Sequence, residues 1–599
     1  MRTHHRLDVT LTLLGPILTR GGEAARAGLD AAVARNSDGF PMLPYSLVKG
    51  KVVDALRRLH PGAFERRDVN RKPKFRASDR RLADWFGNAT ADGGYDPDRG
   101  RVRFSDFVAA AKGNEKGVIE RVRIDPDTGA AAGRMLMMLE APFGYGEPVA
   151  FRGTVDLVGD AGEADALRDL LDKAFAAVPA FGALKTVGFG RTQKVDVTVA
   201  AVPVSAAGTP AVGPVLAVQW TPDRPLCLVG PKHSRNHFES LESIPGSVLK
   251  GAAARLLLEV CGAAGTEVTP AATDGHFPLL GRHFALVRFG EARPVAPGRS
   301  RPVVAPLSVV VSSADEDKGK WYDVAREPKP RLIGGLAPRF VADWKPDEEE
   351  RVRAAFGWPP VRTERRTRTS VNADTGRAAD EELFSYGLVV PDDLTWDGVI
   401  GLHDVPDGDR PGVAAELARL LTHGLPHVGK TRAVAAVTWL PRPTAPAVAS
   451  RHAEGPHVVT LQTDFLMTDP DLLKDGAPLR DVYAAFWAEA SGGALRLERF
   501  FARQALQGGY LAHRFGRGGY EPFLVTDRGS VFVLTATGTG DPGAVLDGWA
   551  ERSLPLPGWV KVRYGEPLWK TCPFLPHAGF GEVAIDLDCH TDPEHQPPS

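Results

Sequence analysis

Hydrophobic and polar residues alternate over residues 7–18, and this pattern predicts a β-strand near the start of the chain. Other alternating runs, and one run with helical spacing, follow before Ala200. They predict strands over residues 101–106, 135–140 and 149–158, a helix over 162–178, and a last strand that ends at Ala200. Residues 113–134 are polar and rich in turn residues, and we expect turns there.

A Pro-rich turn ends in Ser46, where an amphipathic run begins. Serine is a favoured N-terminal cap of helices, and the N–H groups of a first helical turn can bind an anion such as phosphate. The same Ser-x-x-Lys-Gly arrangement recurs about two hundred residues later, where Ser46, Lys49 and Gly50 are matched by Ser247, Lys250 and Gly251. Both stretches therefore predict a helix start that binds a phosphate.

Three more landmarks occur twice in the same order along the chain. Val102-Arg-Phe104 corresponds to Val287-Arg-Phe289, Asp127-Thr-Gly129 to Asp374-Thr-Gly376, and Gly190-Arg191 to Gly429-Lys430. Each match alone is weak, but four matches in one order indicate an internal duplication. The Val-Arg-Phe landmark recurs 185 residues later, whereas the Asp-Thr-Gly landmark recurs 247 residues later. Because this distance grows between the two landmarks, an insertion is predicted between Phe289 and Arg368.

The length and the linkers suggest how the chain is divided. A chain of 599 residues is too long for one hydrophobic core. Two stretches rich in Ala and Pro are typical of linkers. The predicted parts are a first module over 1–200, a linker over 201–214, a second module over 215–440, a linker over 441–456, and a part over 457–599. This last part either completes or follows the second module, has predicted strands over 458–467 and 530–535, and ends in a glycine loop.

The formal net charge is −1, so a nucleic-acid site has to be a local basic patch. One candidate patch is the run 66–81, which is either a solvated loop or a contact to an RNA backbone. Its cations include Arg71, Lys72, Lys74 and Arg76. A second candidate is the run 513–520, in which Arg514 and Arg517 alternate with aromatic residues. This run either stacks on single-stranded RNA or forms a β-hairpin with packed aromatics.

The four cysteines are scattered and form no Cys-x-x-Cys pair, which is typical of a protein from a reducing compartment. No run of 18 apolar residues and no signal-peptide pattern is present, so we expect a cytoplasmic protein without a membrane partner. Residues 424–431 satisfy the Walker A pattern formally. A helix is predicted before this loop and a strand after it, which is the reverse of the order that nucleotide hydrolysis requires.

Several of these features together resemble the RAMP superfamily of CRISPR effector proteins. They are the first strand, the loop at Gly21 and Gly22, the Pro-x-x-Pro-x-Ser-x-x-Lys-Gly helix, the Val-Arg-Phe strand, and the loop Gly188-Phe-Gly-Arg191. Residues 1–200 are similar to the backbone subunit of type III effector complexes, and residues 215–599 resemble, more loosely, RAMP proteins of type III-D loci. The resemblance implies an α+β fold of tandem ferredoxin-like (RRM-like) βαββαβ modules with inserted loops and hairpins.

The resemblance also implies a catalytic residue. The backbone family has a catalytic aspartate between the Gly-Gly turn and the Ser-containing helix, and Asp30 lies at this place. Its carboxylate would hold a hydrated Mg²⁺ or Mn²⁺, or would orient the 2′-hydroxyl towards the scissile phosphate. Glu23 is a candidate helper in the same loop. The corresponding stretch of the second module, residues 230–243, contains no aspartate, so this module is predicted to bind RNA without cutting it.

The function implied is that of a type III effector subunit, a backbone-type protein fused to a second RAMP protein, which binds guide RNA and cleaves complementary target RNA. It would act as a metal-dependent endoribonuclease within a complex. Its partners would be guide RNA, single-stranded target RNA, other RAMP subunits and the large polymerase-like subunit. Besides the helix starts and basic runs, the predicted RNA contacts are Gly21, Gly22, Gly188, Gly190, Arg191, Gly429, Lys430, Gly579 and Gly581.

Two other functions fit the sequence as well. One is a structural or capping subunit of the same kind of complex, without catalysis. The other is a metal-independent endoribonuclease that processes the guide precursor with an imidazole as general acid or base. His4, His5, His60, His233 and His237 are the histidines near glycine loops or helix caps.

Overall fold

The computed structural model describes residues 2–19, 28–60, 77–88, 98–211, 213–230, 237–273, 275–313, 320–326, 336–371, 378–443, 455–508 and 522–591. These residues form three larger sheets, antiparallel except for one short parallel pair in the second, each with helices packed on it, and several two- or three-stranded ribbons. We refer to each larger sheet with its helices as the first, second and third core. The predicted α+β class with ferredoxin-like modules is confirmed by this architecture.

The first core has the strand order β10-β1-β9-β6-β2, with β5 also paired to β9. The path β1–α1–β5/β6–β9–α3–β10 is a βαββαβ unit, and β2 is added at the edge. The elements are β1 Thr3–Leu14, β2 Met42–Leu43, α1 Tyr45–Leu59, α2 Ala77–Phe86, β3 Gly87–Asn88, β4 Asp98–Arg99, β5 Arg103–Phe104, β6 Phe107–Ala109, β7 Val118–Ile124, β8 Ala131–Glu140, β9 Pro148–Gly159, α3 Ala161–Ala176 and β10 Arg191–Ala200.

Alternation in β1 explains why the sheet buries one face. Leu7, Val9, Leu11 and Leu13 are buried, and they contribute to a core with residues of α1 and α3. Helix α3 begins with a capping box, in which the Asp160 carboxylate accepts a hydrogen bond from the Glu163 N–H and the Glu163 carboxylate accepts one from the Asp160 N–H.

The second core repeats this path with strand order β22-β12-β20-β14. The path β12–α4–β14/β15–β20–α8–β22 is again a βαββαβ unit. The elements are β11 Ala206–Ala207, β12 Val215–Pro222, β13 His237–Phe238, α4 Gly246–Cys261, α5 Pro270–Thr273, α6 Pro278–His283, β14 Arg288–Phe289, β15 Arg293–Val295, β16 Val309–Val311, β17 Trp321–Asp323, α7 Pro346–Ala355, β18 Thr363–Val371, β19 Ala378–Val389, β20 Thr395–Gly401, α8 Arg410–Leu420, β21 Leu425–Val428 and β22 Ala433–Leu440.

The third core has the strand order β24-β27-β23-β28, which is the same topology read from the other edge. Its four sheet strands all come from residues 457–585, and they pack on α10 and α11 in a separate apolar cluster. The elements are β23 His457–Leu461, α9 Pro470–Lys474, α10 Leu479–Ala490, β24 Leu495–Phe501, β25 Gln504–Gln507, β26 Phe523–Thr526, β27 Val531–Ala536, α11 Pro542–Arg552, α12 Gly558–Tyr564, β28 Val583–Ile585 and α13 Asp588–Thr591.

A hairpin lies where we expected turns. Residues 118–140 form the antiparallel ribbon β7–β8, with a turn at residues 125–129. The strand predicted over residues 135–140 is the end of β8. The pattern did not predict the rest of the ribbon because it is not half-buried: Val122, Ile124 and Leu136 are exposed, so apolar residues do not mark one buried face. In the second core the ribbon β18–β19 occupies the same place in the chain order, between the second and third strands of the βαββαβ unit.

A buried network of charges joins the second and third cores. Arg293 is 1% exposed and donates hydrogen bonds to Glu291 and to both oxygens of Gln462. Arg301 forms a two-point ion pair with Glu582 at 2.6 and 3.1 Å. Burial raises the pKa of Glu582, but the charges of Arg301 and Arg293 outweigh this and lower it to about 2. The junction therefore contains ions that depend on one another for stability.

Candidate nucleic-acid interface

Asp30 lies on the surface at the base of the β7–β8 ribbon. Its backbone N–H donates to the carbonyl of Met138 at 2.8 Å, and its Oδ2 accepts a hydrogen bond from the Met138 N–H at 2.7 Å. The next residue, Ala31, pairs with Leu139 as a parallel bridge. Among the residues that the structure describes, Oδ1 has no hydrogen-bond partner, so one oxygen of this exposed carboxylate faces outward.

The segment that carries Asp30 is held in place by Glu140. This carboxylate accepts hydrogen bonds from the Val33 N–H at 2.7 Å and from Arg35 at 2.5 Å. The Glu140 N–H donates in turn to the Ala31 carbonyl at 3.0 Å. Because the side chain and the backbone of Glu140, at the end of β8, both hold this segment, the backbone that carries Asp30 is fixed in position.

A small apolar cluster connects this segment to the glycine loop between α3 and β10. Its buried members are Leu18, Ala31, Val33, Leu139 and Phe189, with Leu184 packed against them. The loop contains a 3₁₀ turn over Lys185–Val187, and Gly190 follows it with φ +61°. A Cβ on Gly190 would lie 2.1 Å from the Phe181 carbonyl oxygen, so only glycine fits. Asp30 and the predicted RNA-binding loop are thus parts of one surface region.

Two lysine side chains meet beside this loop. The neighbouring Lys51 ammonium, and then burial, lower the pKa of Lys185; the nearby Asp54 carboxylate opposes this, and Arg58 adds to the lowering. Like charges are unfavourable next to each other unless an anion is shared between them, and a nucleic-acid backbone supplies such anions. The sequence analysis did not select either lysine. The signal was the position of Lys51 directly after the Lys-Gly pair and of Lys185 inside the glycine loop.

The prediction that serine caps the two matching helices is wrong. The caps are Pro44 and Pro245, and neither helix has a side-chain cap. Ser46 and Ser247 lie one residue inside the helix and are exposed. The Tyr45 N–H at the start of α1 donates to the Asp106 carboxylate at 2.7 Å, so the anion at this helix start belongs to the chain itself. The rule failed because a proline occupies the N-cap position of each helix and places the serine within the first turn.

The ammonium groups of the two matching lysines bind carbonyl oxygens. Lys49 donates to the Phe86 carbonyl at 2.8 Å, and Lys250 donates to those of Ala285 and Val287 at 3.0 and 2.7 Å. Burial lowers the pKa of Lys49 to about 8, with help from Arg432 and Arg255, and that of Lys250 to about 7. Their phosphate contact stays a prediction, and both have a structural partner that the sequence did not indicate.

The glycines after these lysines leave the helix surface bare. A Cβ added to Gly50 or to Gly251 would meet nothing within 4 Å. Glycine in the middle of a helix costs about 0.5–1 kcal/mol relative to alanine. Since no contact with the described residues requires glycine at either place, the bare surface fits the close approach of another molecule.

In the second and third cores, the glycine loop before the last strand of the βαββαβ unit packs on the first helix of the core that precedes it in the chain. Tyr45, at the start of α1, donates its hydroxyl to the Lys430 carbonyl at 3.2 Å. A Cβ on Gly246, at the start of α4, would lie 2.7 Å from the Ala578 carbonyl. The predicted loop glycines Gly429, Gly579 and Gly581 all have positive φ, between 66° and 90°, and all have close neighbours. Gly188 has φ +92° with open space around it.

Aromatic rings and cations alternate where the second core meets α1. Phe238 stacks on Tyr386 at 5.2 Å, and the exposed Lys430 lies 4.0 Å above the Phe238 ring. Arg368 lies 4.9 Å above the Tyr45 ring and donates a hydrogen bond to its hydroxyl. Such a set of rings and cations is typical of surfaces that contact single-stranded nucleic acid, and it also holds two cores together.

The second core has no aspartate at the place that corresponds to Asp30. There β13 adds to β19 in parallel, and the paired residues are His237 with Ser385 and Phe238 with Tyr386. His237 lies 3.3 Å from the Glu239 carboxylate. The absence of cutting by this core stays a prediction, since Glu239 lies nearby.

The donor set at Asp30 fits a divalent cation only with help from RNA. Mg²⁺ is commonly held by one or two carboxylates together with phosphate oxygens and water. Within the described part of the chain, the group of three converging metal-ligand side chains lies where the second core meets the third and does not include Asp30. Asp30 can therefore supply one oxygen to Mg²⁺ or Mn²⁺, and the remaining ligands would be RNA oxygens and water.

Several predicted residues lie outside the described residues. They are Gly21, Gly22, Glu23, Arg71, Lys72, Lys74, Arg76, His233, Arg514 and Arg517.

Arg191 is described and exposed at the start of β10. Burial lowers the pKa of His4 to about 3, so this histidine is neutral at physiological pH. The Walker-like loop follows α8 and precedes β22, the order we predicted, with the short strand β21 inside it.

The first core, which contains Asp30, is also the part of the sequence that matches a protein-family model. Residues 10–193 match the model of the RAMP superfamily, which is just under a third of the chain and lies within the first core. No curated protein matches the sequence. No helix among the described residues is both long and apolar enough to cross a membrane.

Two solved structures are similar to parts of the chain. One is a chain of the type III-B Cmr-beta complex bound to cognate target RNA, with 13% identity over 33% of this chain and 62% of that one, and a TM-score of 0.23. The other belongs to the same complex with cognate target RNA and AMPPnP, with 10% identity over 59% and 93% of the two chains, and a TM-score of 0.29. At these TM-scores the likenesses carry no argument about this chain.

Proposed function

We propose that the chain is an RNA-binding subunit of a type III CRISPR effector complex, and that its first core cleaves target RNA paired to the guide. The observation that carries the proposal is an outward-facing carboxylate oxygen of Asp30 in a core that matches the RAMP superfamily. The second and third cores would hold one end of the guide, in the manner of a capping-type subunit of the type III-D kind.

Cations and bare glycines would grip the RNA backbone beside Asp30. Lys51 and Lys185 lie close together at the glycine loop, and Gly50 and Gly188 leave open space next to them. A ribose-phosphate chain can approach such a backbone surface closely, and its phosphates would relieve the repulsion between the lysines. We call Lys51 and Lys185, the two residues proposed to contact the phosphates, the lysine pair.

Asp30 would align the reacting 2′-hydroxyl. Its Oδ2 is held by the Met138 N–H, so the orientation of the carboxylate is fixed and Oδ1 is left to accept a hydrogen bond from a ribose hydroxyl. Attack of the 2′-oxygen on the adjacent phosphorus forms one P–O bond and breaks the bond to the 5′-oxygen, which takes up a proton. A bound Mg²⁺ or Mn²⁺ would supply charge neutralisation at the phosphate.

The internal packing also supports other RAMP subunits as partners. In the second core, the ribbon β18–β19 lies on the first core, where Arg366 donates to Asp106 at 2.8 Å. The first core has the matching ribbon β7–β8, whose exposed apolar residues are Val118, Val122, Ile124, Leu136 and Met137. Val187 in its glycine loop is exposed as well. These surfaces would cover the first helix of another RAMP-type core in the same head-to-tail way.

Replacing both members of the lysine pair by alanine is expected to lower the affinity for guide RNA. The affinity of the double variant should also depend less steeply on the salt concentration. Loss of two phosphate contacts reduces the slope of log K against log salt concentration by about 1.4 to 1.8. The affinity of the full-length chain for guide RNA is measured by fluorescence anisotropy at several salt concentrations.

Lys194→Ala is the matched control for the lysine pair. Lys194 is exposed on β10 of the same core, but its ammonium is paired with Asp196 at 2.9 Å. We expect its binding curve to equal that of the unchanged chain. An unaltered salt slope in the double variant would contradict the proposed grip.

A further inference from the structure

Three buried side chains converge where the second core meets the third. Asp323 at the end of β17 and Cys589 and His590 in α13 are 2–5% exposed. One ligand atom of each, a carboxylate oxygen, Sγ and a ring nitrogen, lies within 4.8 Å of the other two. Oxygen, sulfur and nitrogen ligands in one buried group are typical of zinc sites, whereas Mg²⁺ prefers oxygen alone.

The imidazole of His590 is fixed with one nitrogen turned towards this group. Nε2 lies 3.1 Å from the hydroxyl oxygen of Thr460, which is fully buried in β23. Nδ1 lies 3.0 Å from Asp323 Oδ1, yet its angle does not form a hydrogen bond and it has no other partner among the described residues. A buried nitrogen that is left without a partner is costly unless something else binds it.

The carboxylate of Asp323 is held by two other donors. Ser308 donates its hydroxyl to Oδ2 at 2.6 Å, and the Ala325 N–H donates to Oδ1 at 2.9 Å. Hydrogen bonds of this kind orient the ligands of metal sites from outside the first coordination sphere. Thr460 orients His590 in the same way, because its hydroxyl group forms a hydrogen bond with Nε2 of the imidazole and Nδ1 then faces Asp323.

We propose that Asp323, Cys589 and His590 bind a zinc ion. The metal would be coordinated by a carboxylate oxygen of Asp323, the thiolate of Cys589 and Nδ1 of His590. On binding, the Cys589 S–H bond breaks, its proton passes to solvent, and an S–Zn bond forms. Three protein ligands leave a fourth position of a tetrahedral ion for water or another oxygen.

The ion has a structural role in this fold. Cys589 packs with Val309, Val311 and Trp321, so it belongs to the cluster in which residues 303–356 meet the end of the third core. Zinc would fasten the ribbon β16–β17, which comes from the insertion in the second core, to α13 and β23. It therefore joins the same two cores as the Arg293 network.

The first test is made on the unchanged full-length chain, purified after growth with zinc in the medium. We expect about one zinc per chain by inductively coupled plasma mass spectrometry. After exchange with Co²⁺, we expect visible d–d bands of a tetrahedral ion and a near-ultraviolet thiolate-to-cobalt band. A folded chain without zinc and without that band would overturn the proposal and leave His590 beside Asp323 with no ion between them.

Variants locate the site. Cys589→Ala is expected to lose the thiolate-to-cobalt band, and a chelator that lowers the Tm of the unchanged chain by several degrees should no longer shift that of the variant. Cys572→Ala is the matched control, because Cys572 is also buried in the third core but belongs to an apolar cluster. Persistence of the band in Cys589→Ala would overturn the proposal. Should that variant not fold, the spectrum of the unchanged chain still decides.

Discussion

Replacing Asp30 by asparagine is expected to slow cleavage of target RNA by about 100- to 10,000-fold, the range that a positioned acid–base group contributes. The reason is the loss of the negative oxygen that faces outward, which would no longer attract the 2′-hydroxyl proton or a divalent cation. Asparagine can still accept the hydrogen bond from the Met138 N–H, so the local fold should be kept. Cleavage is measured as the single-turnover rate of the assembled complex.

Asp38→Asn is the matched control for this replacement. Asp38 is an exposed carboxylate in the same segment, and its side chain accepts a hydrogen bond from the Asn36 side chain. We expect normal cleavage from this variant and normal guide RNA binding from both. Equal cleavage rates in the unchanged chain and Asp30→Asn would mean that Asp30 only holds the β7–β8 ribbon, and the subunit would then be a scaffold.

Replacing Glu582 by glutamine is expected to lower the free energy of unfolding by about 3–5 kcal/mol, because it removes the ion-pair partner of the buried Arg301 and leaves Arg293 with Glu291 as its one nearby carboxylate among the described residues. Urea unfolding of the full-length chain measures the change. Glu551→Gln in α11 is the control, since Glu551 is exposed in the same core, and we expect a change within about 0.5 kcal/mol.

The effect of Glu582 depends on pH in a defined direction. Its pKa is about 2 in the folded chain and about 4.5 when unfolded. A carboxyl group whose pKa is lowered by folding contributes its full stability above the unfolded value, and the contribution is lost as the pH falls towards 2. The difference in unfolding free energy between the unchanged chain and Glu582→Gln should therefore narrow below about pH 5. A constant difference from pH 7 to pH 3 would contradict the ion-pair account.

The sequence predicted those elements whose apolar residues mark a buried face. Strand β1 and helix α3 are examples, and the loop that carries Asp30 was located because it lies between recognisable motifs. In the β7–β8 ribbon, the strand predicted over residues 135–140 is the end of β8, whereas β7 and the start of β8 were not predicted, since the ribbon is largely exposed. The carbonyl partners of Lys49 and Lys250 depend on residues 35 to 37 positions away, and the pairing of Lys51 with Lys185 depends on the fold.

Buried charges were the least predictable feature. Arg293, Glu291 and Glu582 look like ordinary surface residues in the sequence, and only the packing of the second core against the third brings them together. The same holds for Asp323 and His590, which are separated by 267 positions and come from different cores. Spacing along the chain carries no information on such long-range pairs.

The most direct measurement of the central claim is a crosslink map with RNA bound. The full-length chain, assembled with guide RNA and a target RNA that carries 4-thiouridine near the expected cleavage site, is irradiated and digested, and the crosslinked peptides are identified by mass spectrometry. The account predicts crosslinks of the target in the segment 28–36 and in the loop 184–191. Crosslinks confined to the second and third cores, with none near Asp30, would contradict it.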